Sequence, residues 1–362
     1  MKAVPRILVI GGTGVFGSRL ARLLRRDDFQ VIVASRRLPD AQKLAYEIGA
    51  EAVALDREQD LSTILSVNAD VVVDAAGPFQ SYGAEPYRLI EFCISNRLHY
   101  FDLSDDAAFT SGVDRFDEDA KLARVTIISG ASSVPAISAA VVADLSKQMK
   151  QIDSIESAIL PGNRAPRGWS VIASILSQVG APLRLWREGE WRLAKAWDEP
   201  QSYVLAPGIR RTARLIGAPD LELFPQRFKA RSVIFRAGME LPALNGALSL
   251  YAALHRLGVV KPWRWFVSFA QSIAGATEAF GSDRGGMIVR IVGEEGNRWI
   301  ERCWTLLAEA GEGPFIPATP IRAYVRKLEQ LSAGARPAIS DLSLNDIASA
   351  TSDLAISFSV SE

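Results

Sequence analysis

Cysteine and histidine are scarce in this sequence. Its 362 residues include only two cysteines, Cys93 and Cys303, and only two histidines, His99 and His255. Each of them stands alone, so the chain cannot build a disulfide framework, and it lacks the clustered ligands of a zinc site. We therefore expect a reduced protein without a bound metal ion.

An excess of charge of either sign is also absent. The 41 basic residues balance 41 acidic residues, so no positive field would attract nucleic acid or an anionic membrane. No stretch of 20 residues is free of charge, as a membrane span of that length requires. The Trp-rich stretch at residues 263–280 contains Arg264 and Glu278. Because no signal region precedes the first strand pattern, we expect a cytoplasmic protein with no membrane span and no nucleic-acid partner.

Hydrophobic residues make up 48% of the chain, enough to form a substantial core, and the length indicates two domains. Short apolar runs alternate with helical patterns up to about residue 130, which is typical of a parallel sheet covered on both faces. The six predicted strands are residues 6–10, 30–34, 52–55, 70–76, 100–103 and 125–129.

The alternation ends after Ser133, where strand and helix patterns become irregular. The predicted fold class is therefore α/β, with a doubly wound parallel sheet in residues 1–133. A second, α+β domain with a mixed sheet is predicted for residues 134–362, as the substrate or dimerisation domain. Its C-terminal helices could also pack back on the first domain.

A glycine-rich turn follows the first predicted strand and opens the first predicted helix. This arrangement is the dinucleotide fingerprint of a Rossmann domain, in which the glycines allow a tight turn and a close approach to a pyrophosphate. The helix N-terminus then holds the phosphates. The predicted cofactor contacts in this turn are Gly11, Gly12, Thr13, Gly14, Val15, Phe16 and Gly17.

The end of the second predicted strand selects the nucleotide. NAD-binding proteins usually have an acidic residue there, but this strand ends in Ser35, Arg36 and Arg37. A guanidinium group can bind two oxygens of a 2′-phosphate at once, so we predict NADP(H) as the cofactor. The remaining predicted contacts follow the third and fourth strands: Asp56, which could instead cap a simple turn, and Ala76, Gly77, Pro78 and Phe79.

Four motifs together carry a resemblance to a known family. They are Gly-Gly-Thr-Gly-Val-Phe-Gly at 11–17, Ala-Gly-Pro-Phe-x-x-Tyr-Gly at 76–83, His-Tyr-Phe-Asp-Leu-Ser at 99–104 and Gly-Ala-Ser-Ser-Val-Pro-Ala at 130–136. With these motifs the chain resembles the NADP(H)-type branch of the saccharopine dehydrogenase-like oxidoreductases. The resemblance implies a Rossmann domain followed by an α+β substrate domain. It also implies hydride transfer to or from a carbon–nitrogen bond.

The short-chain dehydrogenases, which have a similar glycine turn, are a competing interpretation. They use a tyrosine followed four residues later by a lysine that lowers the tyrosine pKa. None of the seven tyrosines in this chain has a lysine at that position. The sequence therefore disfavours this chemistry.

The candidate catalytic residues are predicted from their location and chemical type. Asp102 ends the fifth predicted strand, on the edge of the sheet where ligands bind, and could act as a general acid. Arg164 and Arg167, in a loop of the second domain, could hold the carboxylate of an amino-acid-derived substrate or simply be solvated. Tyr82, Asn163 and Glu240 are further candidates.

Three interpretations of function remain open. The first is an NADP(H)-dependent oxidoreductase that acts on an imine, an amine or a carbonyl compound. The second is a protein that binds NADP(H) without turnover, as a redox-sensing or scaffolding module. The third is a role at a membrane surface, suggested by the Trp-Arg-Trp-Phe sequence at 263–266. The oligomeric state is left open, with a homodimer as one alternative.

Overall fold

The computed structural model describes residues 4–260 and 264–362, so Trp263 of the aromatic segment lies outside the described residues. Its contacts divide the chain into two compact units. The first unit contains the residues up to Ala136 together with Pro314–Leu342, and the second contains Ile137–Gly313 and Ser343–Glu362. The chain therefore returns to the first unit before it ends in the second. Elements are numbered below along the whole chain.

The first unit is built on a parallel sheet of seven strands within the described residues. The strand order is β15-β6-β5-β4-β1-β2-β3, which is the order of a doubly wound fold. The central strands contain continuous apolar runs, at residues 7–10, 31–34 and 71–73, as expected where helices cover both faces. The strands are β1 (Arg6–Ile10), β2 (Gln30–Ser35), β3 (Glu51–Ala54), β4 (Val71–Asp74), β5 (His99–Asp102), β6 (Thr126–Ser129) and β15 (Gly334–Pro337).

Helices connect these strands and bury their apolar stripes on the sheet. In α1, for example, Leu20, Leu23 and Leu24 are fully buried, which matches the helical spacing of their positions. The helices of this unit are α1 (Val15–Arg26), α2 (Leu38–Ile48), α3 (Thr63–Ser66), α4 (Arg88–Ser95), α5 (Ala107–Ser111), α6 (Asp117–Ala123) and α12 (Thr319–Arg326).

The sequence did not predict strand β15, which comes from the distant segment 334–337. Its sequence, Gly-Ala-Arg-Pro, has no hydrophobic run, and its proline is tolerated because it ends an edge strand. The strand pairs in parallel with β6, from Gly334 opposite Thr126 to Pro337 opposite Ser129. This pairing extends the predicted six-stranded sheet by one strand.

The second unit contains a mixed sheet, with nine strands in the described residues. The path is β10-β11-β12-β7-β13-β14-β16, with β8 beside β12 and β9 beside β8. Among the described strands of this second sheet, only β7 and β12 pair in parallel. The strands are β7 (Gln151–Leu160), β8 (Pro182–Arg187), β9 (Glu190–Lys195), β10 (Gln201–Ala206), β11 (Ile209–Leu215), β12 (Ser232–Ala237), β13 (Gly285–Glu295), β14 (Arg298–Ala308) and β16 (Ile356–Ser361).

Six further helices are described in this unit. Their bounds are α7 (Ser138–Leu145), α8 (Trp169–Gln178), α9 (Pro219–Phe228), α10 (Pro242–Arg256), α11 (Arg264–Thr277) and α13 (Leu344–Thr351). Among residues 4–260 and 264–362, none of the helices combines the length and the apolar character needed to cross a bilayer. The predicted fold class, a doubly wound parallel sheet followed by an α+β domain with a mixed sheet, is confirmed.

A buried ion cluster ties helix α12 to helix α1 inside the first unit. The Asp27 carboxylate accepts paired hydrogen bonds from the guanidinium groups of Arg322 and Arg326, at 2.7–2.9 Å. Only 3% of the Arg322 side chain is exposed, against 31% for Arg326. Burial opposes ionisation of Asp27, but the hydrogen bonds from the two arginines prevail and lower its pKa.

Replacing Asp27 by Asn tests this cluster. The change leaves the buried guanidinium of Arg322 without its carboxylate, and we expect a loss of about 3 kcal/mol of stability. That loss corresponds to a melting temperature lower by roughly 6–12 °C for a unit of this size. Thermal denaturation followed by circular dichroism measures it. Arg326→Gln is the matched control, with a smaller shift because Asp27 keeps Arg322; equal shifts for the two variants would contradict this account.

Candidate cofactor and substrate site

The glycine turn after β1 packs backbone directly against backbone. Gly11 has φ +71°, and a Cβ there would lie 2.7 Å from the Cα of Ala76, beyond the end of β4. A Cβ on Gly17 would lie 2.3 Å from the carbonyl oxygen of Gly11. The Gly12 N–H donates to the carbonyl of Ala34 in β2 at 3.0 Å. The turn therefore fits only glycine at positions 11 and 17.

This packing leaves the N-terminus of helix α1 open. Gly14 is the N-cap residue in extended conformation, and no side chain caps the helix. Thr13 and Gly14 are exposed, and Val15 and Phe16 are half-buried. Unsatisfied N–H groups and the positive end of the helix dipole are features that bind a pyrophosphate. The observed turn thus fits the phosphate groups of a dinucleotide.

The end of β2 lies beside this turn. The two predicted arginines that follow it have different surroundings. The Thr13 hydroxyl donates to the Ser35 hydroxyl at 3.2 Å, so the glycine turn and the strand end adjoin. Arg37 pairs with Asp40 in the first turn of α2, with Nε–Oδ2 at 2.8 Å. Arg36 is exposed and forms no ion pair with any residue that the structure describes. The sequence treated both arginines alike, although the spacing of Arg37 and Asp40 allows this pairing.

The segment after β4 borders the glycine turn through the Gly11–Ala76 approach. Ala76, Gly77 and Pro78 are half-buried, while Phe79 is buried against Tyr82, with ring centroids 4.8 Å apart. Predicted contacts 76–79 and 11–17 are thus brought together. Asp56, in contrast, accepts the backbone N–H of Glu58 at 3.1 Å and so caps its own turn. The other carboxylate oxygen of Asp56 is not used in this cap, so its contact with the cofactor stays a prediction.

A buried charged cluster that the sequence did not predict supports this segment. The carboxylate of Asp74, at the end of β4, is fully buried and accepts hydrogen bonds from the Tyr82 hydroxyl at 3.2 Å and the Ala76 N–H at 3.0 Å. Arg57 Nε lies 3.3 Å from the carboxylate, and its guanidinium stacks 3.3 Å above the Tyr82 ring. The signal in the sequence is weak, because only the terminal acid of an apolar strand marks Asp74.

Asp102 ends β5 next to Asp74 and is also fully buried. Its Oδ1 accepts hydrogen bonds from the N–H groups of Gly130 (2.7 Å) and Ser104 (2.9 Å) and from the Ser129 hydroxyl (3.1 Å). Burial raises the pKa of Asp102 to about 7, although these hydrogen bonds oppose the rise. The carboxylate therefore holds the turn after β6, and its role as general acid stays a prediction.

The structure separates Arg164 from Arg167 in the second unit. Arg164 is exposed, and its backbone N–H donates to the carbonyl of Ser282. Arg167 is half-buried, and its Nη2 donates to the Oδ1 of Asn163 at 3.1 Å. Asn163 is 1% exposed and is itself held through Nδ2 by the carbonyls of Thr277 and Phe280. Only Arg167 is fixed in orientation by a buried partner.

Glu240 accepts hydrogen bonds from the loop that contains these two arginines and from the neighbouring segment at Ser282. Its carboxylate accepts the N–H groups of Asn163 (2.6 Å) and Ser282 (2.9 Å) and pairs with Arg211. Burial opposes ionisation, but these hydrogen bonds and Arg211 lower the pKa of Glu240. Glu240 therefore acts as a charged support for the loop. Sequence reasoning included Glu240 and Asn163 among its candidates but missed Arg211 and Ser282.

The close packing of the glycine turn predicts the effect of Gly17→Ala. The added methyl group would overlap the Gly11 carbonyl oxygen, so the turn must shift. We expect destabilisation by about 1–3 kcal/mol, as for an overpacked core, together with weaker NADPH binding. Thermal denaturation and NADPH titration measure the two effects. Gly246→Ala in helix α10 is the control, because a Cβ there meets no atom within 4 Å and should stabilise the helix by about 0.5–1 kcal/mol.

The raised pKa of Asp102 predicts a dependence of stability on pH. A native pKa near 7 means that the folded protein holds a proton that the unfolded chain has lost above about pH 4. Stability should therefore fall by up to about 1.4 kcal/mol per pH unit between these two values. Asp102→Asn keeps the oxygen acceptor and removes the titration.

Melting temperatures of the wild-type protein and Asp102→Asn, measured from pH 5 to pH 8, test this expectation. The melting temperature of Asp102→Asn should increase relative to that of the wild-type protein as the pH rises. Asp220, whose burial likewise raises its pKa to about 7, titrates in both proteins and does not affect the difference. Parallel curves would show that the Asp102 pKa is not raised in the folded state.

Comparison with known proteins agrees with this geometry. Residues 7–128 match the family model described as saccharopine dehydrogenase NADP binding domain. Among curated proteins, no sequence matches the chain. The NADP(H) cofactor predicted from the sequence is confirmed by the family match, and the described residues of the glycine turn fit it.

One solved structure extends the likeness in fold over the whole chain. The apo saccharopine dehydrogenase (L-Glu forming) of Saccharomyces cerevisiae superposes with a TM-score of 0.70 at 15% identity, over 99% of this chain and 100% of the yeast chain. The biliverdin reductase of Synechocystis, in complex with biliverdin and NADP+, covers 97% of this chain and 96% of its own at 14% identity, with a TM-score of only 0.40. Residues 7–128 thus match the NADP binding domain of the saccharopine dehydrogenase family, and the chain as a whole shares the fold of the yeast enzyme.

Proposed function

We propose that this protein is an NADP(H)-dependent oxidoreductase that acts on an imine, an amine or a carbonyl carbon of a small carboxylate substrate. The proposal rests on two features, the open N-terminus of α1 and the exposed Arg36 beside Ser35, which has no ion pair among the described residues. The first feature suits a pyrophosphate, and the second suits the 2′-phosphate that distinguishes NADP(H) from NAD(H). The family match of residues 7–128 supports the same cofactor.

Each group near the glycine turn has a separate part in this proposal. When bound, NADP(H) supplies or accepts a hydride at its nicotinamide ring. Glycines 11, 12 and 17 let the backbone approach the pyrophosphate, and the Asp74–Arg57–Tyr82 cluster fixes residues 76–79, which we assign to the nicotinamide side. A rigid support of this kind favours catalysis because it positions the reacting atoms before the reaction.

Asp102 is assigned to positioning, since its side chain is fully buried and its Oδ1 holds the turn at Ser129 and Gly130. Arg167 is assigned to the substrate carboxylate, because Asn163 orients its guanidinium without neutralising it. Arg164 is exposed and has no such partner among the described side chains, so we assign it no contact with substrate.

Replacing Arg36 by Ala tests the assignment of the 2′-phosphate. Loss of a charge-assisted contact to a dianion should weaken NADPH binding by at least about tenfold and leave NADH binding unchanged. Fluorescence titrations with both nucleotides, at low and moderate salt, measure the effect. Arg37→Ala is the matched control, and it should have a small effect because Arg37 is already paired with Asp40.

Equal affinity of the wild-type protein for NADPH and NADH would contradict the role of Ser35 and Arg36. The enzyme assignment has its own readout, which is a change in nicotinamide absorbance that depends on an added oxo acid and ammonium. Tight NADPH binding without any turnover across oxo acids, imines and amino acids would contradict the oxidoreductase and favour a protein that only binds NADP(H).

A further inference from the structure

The second unit contains an apolar cavity that the proposed cofactor site does not use. It has a volume of about 150 Å³ and lies among helices α8, α10 and α11. Its walls are aliphatic and aromatic side chains, among them Ile175 of α8, Leu248 and Tyr251 of α10 and Phe269 of α11. The cavity is partly open, since 55% of Phe269 is exposed, and its volume accepts a group as large as benzene.

Arg167 is the one charged residue among the described residues that line this cavity. Desolvation by burial lowers its pKa, and it forms no ion pair within the described part of the chain. Two carboxylates, Glu240 and Glu278, act on Arg167 from nearby without an ion pair, and that of Glu240 is already occupied by Arg211 and by two backbone N–H groups. A guanidinium that is partly desolvated and bonded only to a neutral amide favours an anionic partner.

The position of Arg167 is fixed before any ligand binds. Asn163, which accepts its hydrogen bond, is buried and anchored to the carbonyls of Thr277 and Phe280. Helix α8 begins two residues after Arg167, and no side chain caps its N-terminus. The charge therefore stands at one place on the wall of an otherwise apolar space, which is the pattern of a small-molecule site with one orienting polar group.

We propose that the second unit binds a small carboxylate that carries an apolar group about the size of a benzene ring. The apolar group fills the cavity between α8, α10 and α11, and the carboxylate pairs with Arg167. A dicarboxylate or a long cationic side chain does not fit this arrangement, because the walls offer no further charge among the described residues. That this ligand is also the substrate rests on the proposed function, and it narrows the substrate to apolar oxo, imino or amino acids.

Calorimetric titration of the full chain with 3-phenylpropanoate, without nucleotide, tests the site directly. We expect saturable binding that is weakened at least about tenfold for the neutral 3-phenylpropanamide and for propanoate, which lacks the ring. Arg167→Gln should weaken 3-phenylpropanoate to the level of the amide. Arg164→Gln, in the same loop but outside the cavity, should leave binding unchanged.

A second variant separates loss of the ligand site from loss of folding. Ala247→Phe fills the cavity from α10 without touching the charge, and it should abolish binding of the ring while the melting temperature stays close to that of the wild-type protein. Equal binding of the acid and the amide, equal effects of the two arginine variants, or undiminished binding to Ala247→Phe would overturn the proposal, as would absence of binding.

The two proposals can fail separately. One outcome is that 3-phenylpropanoate binds as expected but phenylpyruvate with ammonium causes no oxidation of NADPH. The proposed carboxylate site is then supported, and the identification of its ligand with the substrate is wrong. If NADPH binds through Arg36 and no carboxylate reaches Arg167, the cavity proposal is wrong and the cofactor assignment stands. Oxidation of NADPH with phenylpyruvate that is lost in Arg167→Gln and kept in Arg164→Gln would support both.

Discussion

Direct backbone packing at the glycine turn is the constraint on which the cofactor site depends. Gly11 lies against the backbone of residues 75–76, and Gly17 lies against the carbonyl of Gly11, with no room for a side chain at either contact. This approach joins the ends of β1 and β4 and brings the start of α1 close to the end of β2. The N–H groups of α1 then stay available, because the N-cap residue is Gly14 and no side chain caps the helix. Arg36 adds the charge that suits a 2′-phosphate.

Buried charge supports the neighbouring segments, and the physical logic is the same at each place. Asp74, Asp102 and Asp220 are carboxyl groups without contact to water, and burial raises the pKa of each. Asp74 has a cationic partner in Arg57, whereas Asp102 relies on hydrogen bonds from backbone and hydroxyl groups. Asp102 at the end of β5 and Asp220 in the first turn of α9 have no cationic partner among the described residues, so each lowers stability at neutral pH while its hydrogen bonds hold the neighbouring segments.

The sequence was sufficient to predict those parts of the fold and of the candidate site that depend on local patterns of residues. Apolar runs separated by amphipathic helices predicted the parallel sheet, and the spacing of Gly12, Gly14 and Gly17 after β1 predicted the nucleotide turn. Several strands of the second unit escaped prediction because their residues are largely exposed, as in β10 and β16, and β15 of the first unit escaped it because it lacks an apolar run. The roles of Arg36 and Arg37, and of Arg164 and Arg167, could not be separated because they depend on partners such as Asp40 and Asn163 that only the folded chain brings near.

The central claim is that Ser35 and Arg36 receive the 2′-phosphate while the open turn of α1 receives the pyrophosphate. A crystal structure of the complex with NADP+ tests it most directly. The account predicts the 2′-phosphate within hydrogen-bond distance of the Arg36 guanidinium and the Ser35 hydroxyl, with the pyrophosphate over residues 14–17. A 2′-phosphate that contacts neither residue, or a pyrophosphate bound away from the glycine turn, would contradict it.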